Sequence, residues 1–343
     1  MSAPTLKPKP TLSDIAERCQ LSKGTVSRAL HLSDKDSPVS ESTRQRVRKV
    51  AQELGYRANW QAQALSRGRT HSVGLLYEGT VPMLDSVYRD MLETFVQKLR
   101  AFDYHLQLVP VDPAGIWSEA LRGGRFDGCA MLQNAPRPIL NEIADVEMPI
   151  VLLNAAASGG ESTVCPDDEG GGRLAGEHLL KLGHRTIAYT YDTDAVPHFS
   201  IRTRQRGLEQ AVQEAGGRVM FFKGHQYEVA PKLLDPANGI TATVCYSHFE
   251  ATPLLQHLWQ LGAKVPDDMS LVAFNDEFPL GSLIPPVTTV GVPAAQIGLH
   301  GAEILLRQMR GTTNDARPRP PSKNIILEES LIIRASTAKP RST

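Results

Sequence analysis

Thr11-Leu-Ser-Asp-Ile-Ala-Glu-Arg-Cys-Gln-Leu-Ser-Lys-Gly-Thr-Val-Ser-Arg-Ala-Leu30 holds two short amphipathic periods with a tight break between them. Thr11 followed by Asp14 reads as a helix start, a hydroxyl for orphan N–H groups and then a carboxylate in the first turn. Leu12, Ile15, Ala16 and Cys19 follow at helical spacing and form one apolar stripe. Leu21-Ser22 is the turn, and Ser22 is placed to cap a second helix whose Val26, Ala29 and Leu30 point inward. Lys23, Gly24, Ser27, Arg28 and His31 are left on the outside. Ser40 caps a third helix with Val47, Val50, Ala51 and Leu54 as its stripe, and Gly55 ends it. Three short helices around one stripe could be any small bundle. The detail that favours nucleic acid is Thr25-Val-Ser-Arg28, which sets hydroxyls and a guanidinium at the front of the second helix. Ser and Thr can hold phosphates, and Arg can meet guanine with two bonds.

Charge supports that direction. The 343 residues are formally neutral, yet residues 1–70 hold 13 Lys and Arg against 6 Asp and Glu, or +7, and the rest is −7. A basic head on an acidic body suggests that the head meets phosphate, although a solvated charged face would look the same. A length sufficient for two or three domains, 41% hydrophobic residues and 22% charged residues describe an ordinary globular chain. Cys19, Cys129, Cys165 and Cys245 are scattered without a C-x-x-C pair, which argues against a zinc site or a disulfide framework and fits a reducing compartment. No secretory signal and no long apolar run is evident. The expected location is therefore the cytoplasm, with no membrane contact. Residues 1–10 are Pro-rich and are expected to be a disordered tail, as are 338–343.

From His71 the pattern changes. Ser72–Tyr77, His105–Val109, Gly128–Leu132 and Pro149–Leu153 read as buried parallel strands, with helices between them such as Leu84 to Ala101. A second series follows at Thr186–Thr190, Val219–Phe222, Thr241–Cys245 and Ser270–Phe274. Two series of βαβ units predict an α/β core of two doubly wound lobes with a ligand cleft between them, as in periplasmic sugar-binding proteins. The glycines at 170–172 are a weak phosphate cradle without a G-x-G-x-x-G or Walker pattern. Asp194, His198 and Ser200 fall within one short loop that lacks a nucleophile elbow, so a catalytic triad is not the favoured reading.

Thr25-Val-Ser-Arg28, Val39-Ser-x-x-Thr-Arg-x-x-Val47 and Glu53-Leu-Gly-Tyr-Arg-Ala-Asn59 together resemble the LacI/GalR family of bacterial transcription factors, and the likeness runs from about Thr11 to Ser336. It implies a helix-turn-helix DNA-binding domain over 11–58. Lys23, Gly24 and Arg28 fall at base-reading positions and Thr25 and Ser27 near phosphate, with further contacts from Thr11, Leu12, Ser22 and His31. Two departures stand out: His31 occupies a position where the family usually has Asn, and the loop Leu32–Pro38 is longer than the family's. Residues 59–70 match the family's hinge helix and linker, with Asn59 and Gln63 at DNA and Leu65 at the wedge that opens a base step.

The resemblance also implies an effector site in the core over 71–337, with one lobe at about 71–183 and 291–322 and the other at about 184–290 and 323–337. Ser200-Ile-Arg-Thr-Arg204-x-x-Gly207 matches the effector signature, with the Arg204 fork on ligand oxygens and Ser200 beside it. Tyr77, Glu78, Tyr246, Ser247 and Asn275 fall at other pocket positions. Glu78, Ser247-His248 and Asn275 depart from the common residues there, Asp276 being retained beside Asn275, so no particular family sugar is carried over. Phe249, like Tyr77 and Tyr246, offers aromatic surface to a pyranose. No heptad helix follows the last strand, which favours a homodimer over a coiled-coil tetramer. The expectation is a sequence-specific regulator, a repressor on a pseudo-palindromic operator of double-stranded DNA, controlled by a small metabolite of carbohydrate type. It needs no cofactor and no metal and is not an enzyme. The rival classes are a ligand-independent architectural DNA-binding protein and an enzyme on the same scaffold.

Overall fold

The computed structural model describes residues 10–31, 38–57, 68–78, 86–112, 115–133, 135–156, 159–192, 198–310 and 322–341. The chain divides into two compact units, 1–70 and 71–343.

Among its described residues the first unit holds three helices: α1 (Leu12–Cys19), α2 (Lys23–His31) and α3 (Glu41–Glu53). Thr11 and Asp14 form a reciprocal capping box, in which the Thr11 N–H donates to Asp14 at 2.7 Å and the Ser13 N–H donates to the Thr11 hydroxyl at 3.2 Å. Those bonds from Thr11 hold the Asp14 carboxyl below its ordinary pKa. Gln20 turns left-handed at φ 50° to stop α1. Ser22 caps α2, accepting from the Thr25 N–H at 3.1 Å, and Ser40 caps α3. Ile15, Ala16, Cys19, Val26, Ala29, Val47 and Ala51 make the buried centre of this small bundle, with Leu12, Leu30, Val50 and Leu54 packed around them.

The second unit carries two six-stranded sheets. The first has the order β11-β5-β4-β3-β1-β2, from β1 (Ser72–Tyr77), β2 (His105–Pro110), β3 (Gly128–Leu132), β4 (Ile150–Leu153), β5 (Ser162–Pro166) and β11 (Asn324–Leu327), all parallel. The second has the order β12-β10-β9-β8-β6-β7, from β6 (Thr186–Tyr191), β7 (Arg218–Lys223), β8 (Ala242–Cys245), β9 (Ser270–Phe274), β10 (Thr288–Gly291) and β12 (Ser330–Ile332); only β12 runs antiparallel. Both sheets reverse strand order at their first strand, the doubly wound pattern that leaves a crevice beyond the carboxyl ends of the strands. Central strands β1, β3 and β9 are buried on both faces, which explains their unbroken apolar runs, while β2 and β7 sit at sheet edges and are partly polar.

Two lobe boundaries depart from expectation. Helix α7 (Asp168–Leu182), placed by sequence in the first lobe, belongs to the second. It packs along α8 (Phe199–Glu214), and its Ala175 and Leu179 join the cluster of Tyr189, Val244 and Phe274. Strand β11, placed in the second lobe, pairs with β5 in the first sheet. The chain therefore crosses between lobes at 166–168, 291–294 and 327–330. Nothing in composition marks these crossings, because the strand and helix on either side read as one continuous βα unit. The strands β5, β10, β11 and β12 are short and were not among the expected runs. The expected helix Leu84–Ala101 appears as α4 (Ser86–Arg100).

The glycines around 170 serve packing. A Cβ at Gly172 would lie 2.1 Å from the Arg204 carbonyl oxygen, and one at Gly207 would lie 1.9 Å from the Glu169 carbonyl oxygen. Helices α7 and α8 thus touch backbone to backbone. Because neither obstacle is a side chain that could move aside, Gly207→Ala should destabilise the core by at least ~1–3 kcal/mol, read as a lowered midpoint in thermal unfolding. An unchanged midpoint would refute the close crossing.

Candidate functional site

In the head, Lys23, Gly24 and Arg28 are exposed on one face of α2, with Thr25 and Ser27 half-buried beside them. A Cβ on Gly24 would meet nothing nearer than 3.9 Å, so this position is a gap in the face. The hydroxyls of Ser22 and Thr25 lie 2.9 Å apart in the cap, and Thr11 is committed to its capping box. Leu12 is half-buried against the bundle core. His31 ends α2; its side chain and the hinge positions Asn59, Gln63 and Leu65 lie outside the described residues.

In the core, a cavity of about 360 Å³ lies between the lobes. Its walls come from strand ends, as the topology requires: Gln133 follows β3, Asn154 β4, Asp192 β6, Tyr246 β8, Asn275 β9 and Val292 β10. Gln133, Asn154 and Asn275 all hold positive φ, at 64°, 52° and 66°. Such backbone strain gathers at binding sites, and Asn tolerates it better than Gln. The first turn of α4 adds Val87 and Tyr88; α8 and the helix α10 (His248–Gln260) bring their N-terminal ends.

A polar chain crosses from lobe to lobe along this wall. The Asn154 carbonyl can only accept, so the His198 Nε2, 2.9 Å away, carries the proton. His198 Nδ1 then accepts from the Ser200 hydroxyl at 2.6 Å and from the Ser200 N–H at 3.3 Å, which makes His198 the cap of α8. Ser200 Oγ in turn accepts from the Tyr246 hydroxyl at 3.0 Å. Burial lowers the His198 pKa, only partly opposed by its bond to Asn154 and by Asp168, so the ring is held neutral. The ring's far nitrogen meets a carbonyl and not a carboxylate, the opposite of what a catalytic triad needs. Asp194 lies outside the described residues.

Arg204 is buried at 4% exposure in the same wall, and its charge is engaged by protein groups. Nε donates to Asp168 at 2.7 Å and Nη2 to Glu329 at 3.5 Å, while Nη1 donates to the Tyr246 carbonyl at 2.9 Å and to Asn275 Oδ1 at 3.4 Å. The guanidinium also lies over the Phe274 ring, 4.3 Å from its centroid. These four bonds take most of the five N–H donors, so in this structure the fork is met chiefly by protein groups. Asp168 and Glu329 stand on two of the three lobe crossings, and the Asp167 N–H donates to the Leu327 carbonyl at 2.7 Å, tying those crossings together. Gly171 leaves room for Glu329, since a Cβ there would fall 1.6 Å from Glu329 Oε2. Burial pushes the Glu329 carboxyl up to about 8; Arg204 opposes this and the neighbouring Asp168 adds to it.

Of the residues singled out from sequence, Ser200, Arg204, Tyr246, Ser247 and Asn275 converge on the cavity. Two do not: Tyr77 is buried at the end of β1, and Glu78 is exposed beyond it. Asp276, next to Asn275, is taken by Arg334 and Thr289. Sequence reading missed Val87, Tyr88, Gln133, Asn154, Asp192, Glu250 and Val292 as wall residues. Their available signal was position, immediately after a strand or at the start of a helix.

A two-lobed ligand-binding core with an N-terminal helix-turn-helix unit defines a class of regulatory proteins, and comparison with known proteins agrees. Residues 11–59 match the model for bacterial regulatory proteins of the lacI family, and residues 177–337 match the periplasmic binding protein-like domain. The transcriptional regulator DegA of Bacillus subtilis is 26% identical, with 96% of this chain and 98% of that protein covered. A transcriptional regulator CelR–cellobiose complex is 26% identical with a TM-score of 0.67, covering 95% of this chain and 99% of that one. The lac repressor dimer bound to operator and the anti-inducer ONPF shares the fold, with a TM-score of 0.80 at 21% identity over 96% of this chain and 100% of that one. The chain belongs to the LacI family: it is a DNA-binding transcriptional regulator, not an enzyme. No helix among the described residues is long and apolar enough to cross a membrane.

Two outcomes follow from the Arg204 cluster. Arg204→Ala leaves two carboxylates buried without their cation and should cost the core ~3–5 kcal/mol, measured by urea unfolding; a loss within error would show the cluster to be incidental. Glu329 binds its proton more tightly folded than unfolded. Its contribution is therefore complete below the ordinary carboxylate range and is lost as pH rises toward about 8. Glu329→Gln should remove that part of the pH slope, flattening the unfolding midpoint between about pH 5 and about pH 8. A slope identical to that of the parent protein would contradict it.

Proposed function

We propose that the protein is a repressor whose grip on operator DNA is set by a small carbohydrate held between the two core lobes. The observation that carries the reading is the cavity itself, walled by both lobes and bridged by the His198–Asn154 hydrogen bond. A ligand there favours one lobe angle over another only by binding the two geometries unequally. The polar wall with its aromatic side chains Tyr88 and Phe249 suits a polyhydroxylated ring, which presents hydroxyls at its edge and C–H groups on its face. The CelR–cellobiose complex lends the same support. Tyr246, Ser247, Ser200 and Asn275 supply hydrogen bonds to the ligand. Arg204 acts chiefly by holding Tyr246 and Asn275 in place.

For DNA, α2 enters the major groove. Lys23 and Arg28 reach base edges, Gly24 leaves one position unread, and Ser22, Thr25, Ser27, Thr11 and His31 lie toward the phosphates. The 59–67 segment pairs with its twin in a cytoplasmic homodimer, where Asn59 and Gln63 contact DNA and Leu65 wedges a base step on a pseudo-palindromic site.

The test is fluorescence anisotropy of the full chain on DNA from upstream of its own gene, with and without mono- and disaccharides. A sugar that changes affinity supports the reading; indifference to every sugar together with tight DNA binding favours a ligand-independent architectural protein. Arg28→Ala should lose ~1–3 kcal/mol of specific binding, roughly 5- to 150-fold, with non-specific DNA much less affected. Equal losses on both DNAs would make Arg28 a phosphate contact. Leu65→Ala should reduce DNA bending in a gel-phasing assay, and unchanged bending would reject the wedge.

A further inference from the structure

The family fold leaves open the charge of what fills the cavity, and this chain's own side chains speak to it. Three cavity features could attract an anion: the Arg204 guanidinium and the N-terminal ends of α8 and α10. Each is already occupied from within. Arg204 faces Asp168 and Glu329, so the cluster has no positive excess whichever way Glu329 is protonated. The start of α8 is capped by the His198 ring. The start of α10 is capped by Ser247, whose hydroxyl accepts from the Phe249 N–H at 3.1 Å and donates to Glu250, a carboxylate of the same first turn.

What remains at the wall is acidic or neutral. Glu250 is 3% exposed and Asp192 is half-buried, its carboxylate 3.2 Å from His225. Apart from Arg204 and the neutral His198, no Lys, Arg or His lines the cavity among the described residues. Asn154 Oδ1 is buried in the wall with no hydrogen-bond partner, an acceptor awaiting a donor.

We infer that the effector is a non-anionic polyol, an uncharged sugar or its amine-bearing counterpart, and that sugar acids and sugar phosphates are rejected. The inference rests on the carbohydrate reading above and narrows it. An entering carboxylate or phosphate would lose its water and find no uncompensated cation, beside the acidic side chains Glu250 and Asp192. A hydroxyl or ammonium group, by contrast, donates to Asn154 Oδ1 and to the Glu250 and Asp192 side of the wall.

Matched sets decide the matter. For each common hexose, the neutral sugar, the 2-amino sugar, the uronic acid and the 6-phosphate are titrated into the full chain by calorimetry at constant pH and ionic strength. In the set that binds, the neutral or amino member should bind at least tenfold more tightly than its acid and its phosphate. Glu250→Gln should narrow the gap between the amino sugar and the uronic acid. An acid or phosphate that binds as tightly as its neutral counterpart overturns the inference while leaving a carbohydrate effector intact. If no member of any set binds, the carbohydrate reading fails, and this inference fails with it.

Discussion

A single buried cation ties the core together. Arg204 sits inside the second lobe, yet its two carboxylate partners are on stretches where the chain passes from one lobe to the other. Burying a guanidinium is costly unless each charge and hydrogen bond is answered, and here Asp168, Glu329, the Tyr246 carbonyl and Asn275 answer it. Two glycines make the arrangement possible: Gly171 by leaving volume for Glu329, and Gly172 by letting α7 approach the Arg204 backbone. The cluster is thus a property of helix packing as much as of electrostatics.

The cavity and the crossings share this residue. One edge of the guanidinium holds Tyr246 and Asn275, which face the cavity, and the other edge holds Asp168 and Glu329, which set where the lobes join. On the proposed reading, a ligand that moves Tyr246 or Asn275 also disturbs the geometry at two crossings, without any contact of its own there. The His198 chain adds a second link, because Tyr246, Ser200 and His198 form one directed row of hydrogen bonds ending on Asn154 of the other lobe. A ligand hydroxyl that competes for the Tyr246 proton acts on a row whose last bond spans the lobes. On the proposed reading, this row is the route by which a ligand favours one lobe geometry over another.

Much of this was legible in the sequence, and for identifiable reasons. The head could be read almost residue by residue, because caps and apolar stripes are local: Thr11, Ser40, Gly55 and the stripe from Ile15 to Ala51 all have their partners within a few turns. Buried parallel strands also announce themselves through unbroken apolar runs such as Val73–Leu76. The lobe boundaries were not legible, because membership of α7 and β11 depends on which sheet they pack against, a long-range fact. The cavity was half legible. Ser200, Arg204 and Tyr246 could be placed by motif, whereas Asn154, Gln133 and Glu250 are in the wall only because the two lobes bring strand ends and helix starts face to face.

Arg204 also shows why a motif residue's chemistry has to be read with its neighbours. In sequence an arginine in a ligand motif suggests an anionic or strongly polar partner, because the fork matches carboxylate and phosphate. Its surroundings reverse that expectation. Asp168 comes from the preceding helix and Glu329 from a segment 125 positions later in the chain, and together they answer the charge before any ligand arrives. On the proposed reading, electrostatic selectivity in the cavity then depends on the remaining wall groups, the Asn154 Oδ1 acceptor and the acidic side chains Glu250 and Asp192. On the proposed reading, a site that holds Arg204 this way keeps the guanidinium's rigidity, which orients Tyr246 and Asn275, while giving up its attraction for anions. Rigid positioning without net charge suits recognition of hydroxyl groups, whose discrimination depends on where donors and acceptors stand more than on how strongly they pull.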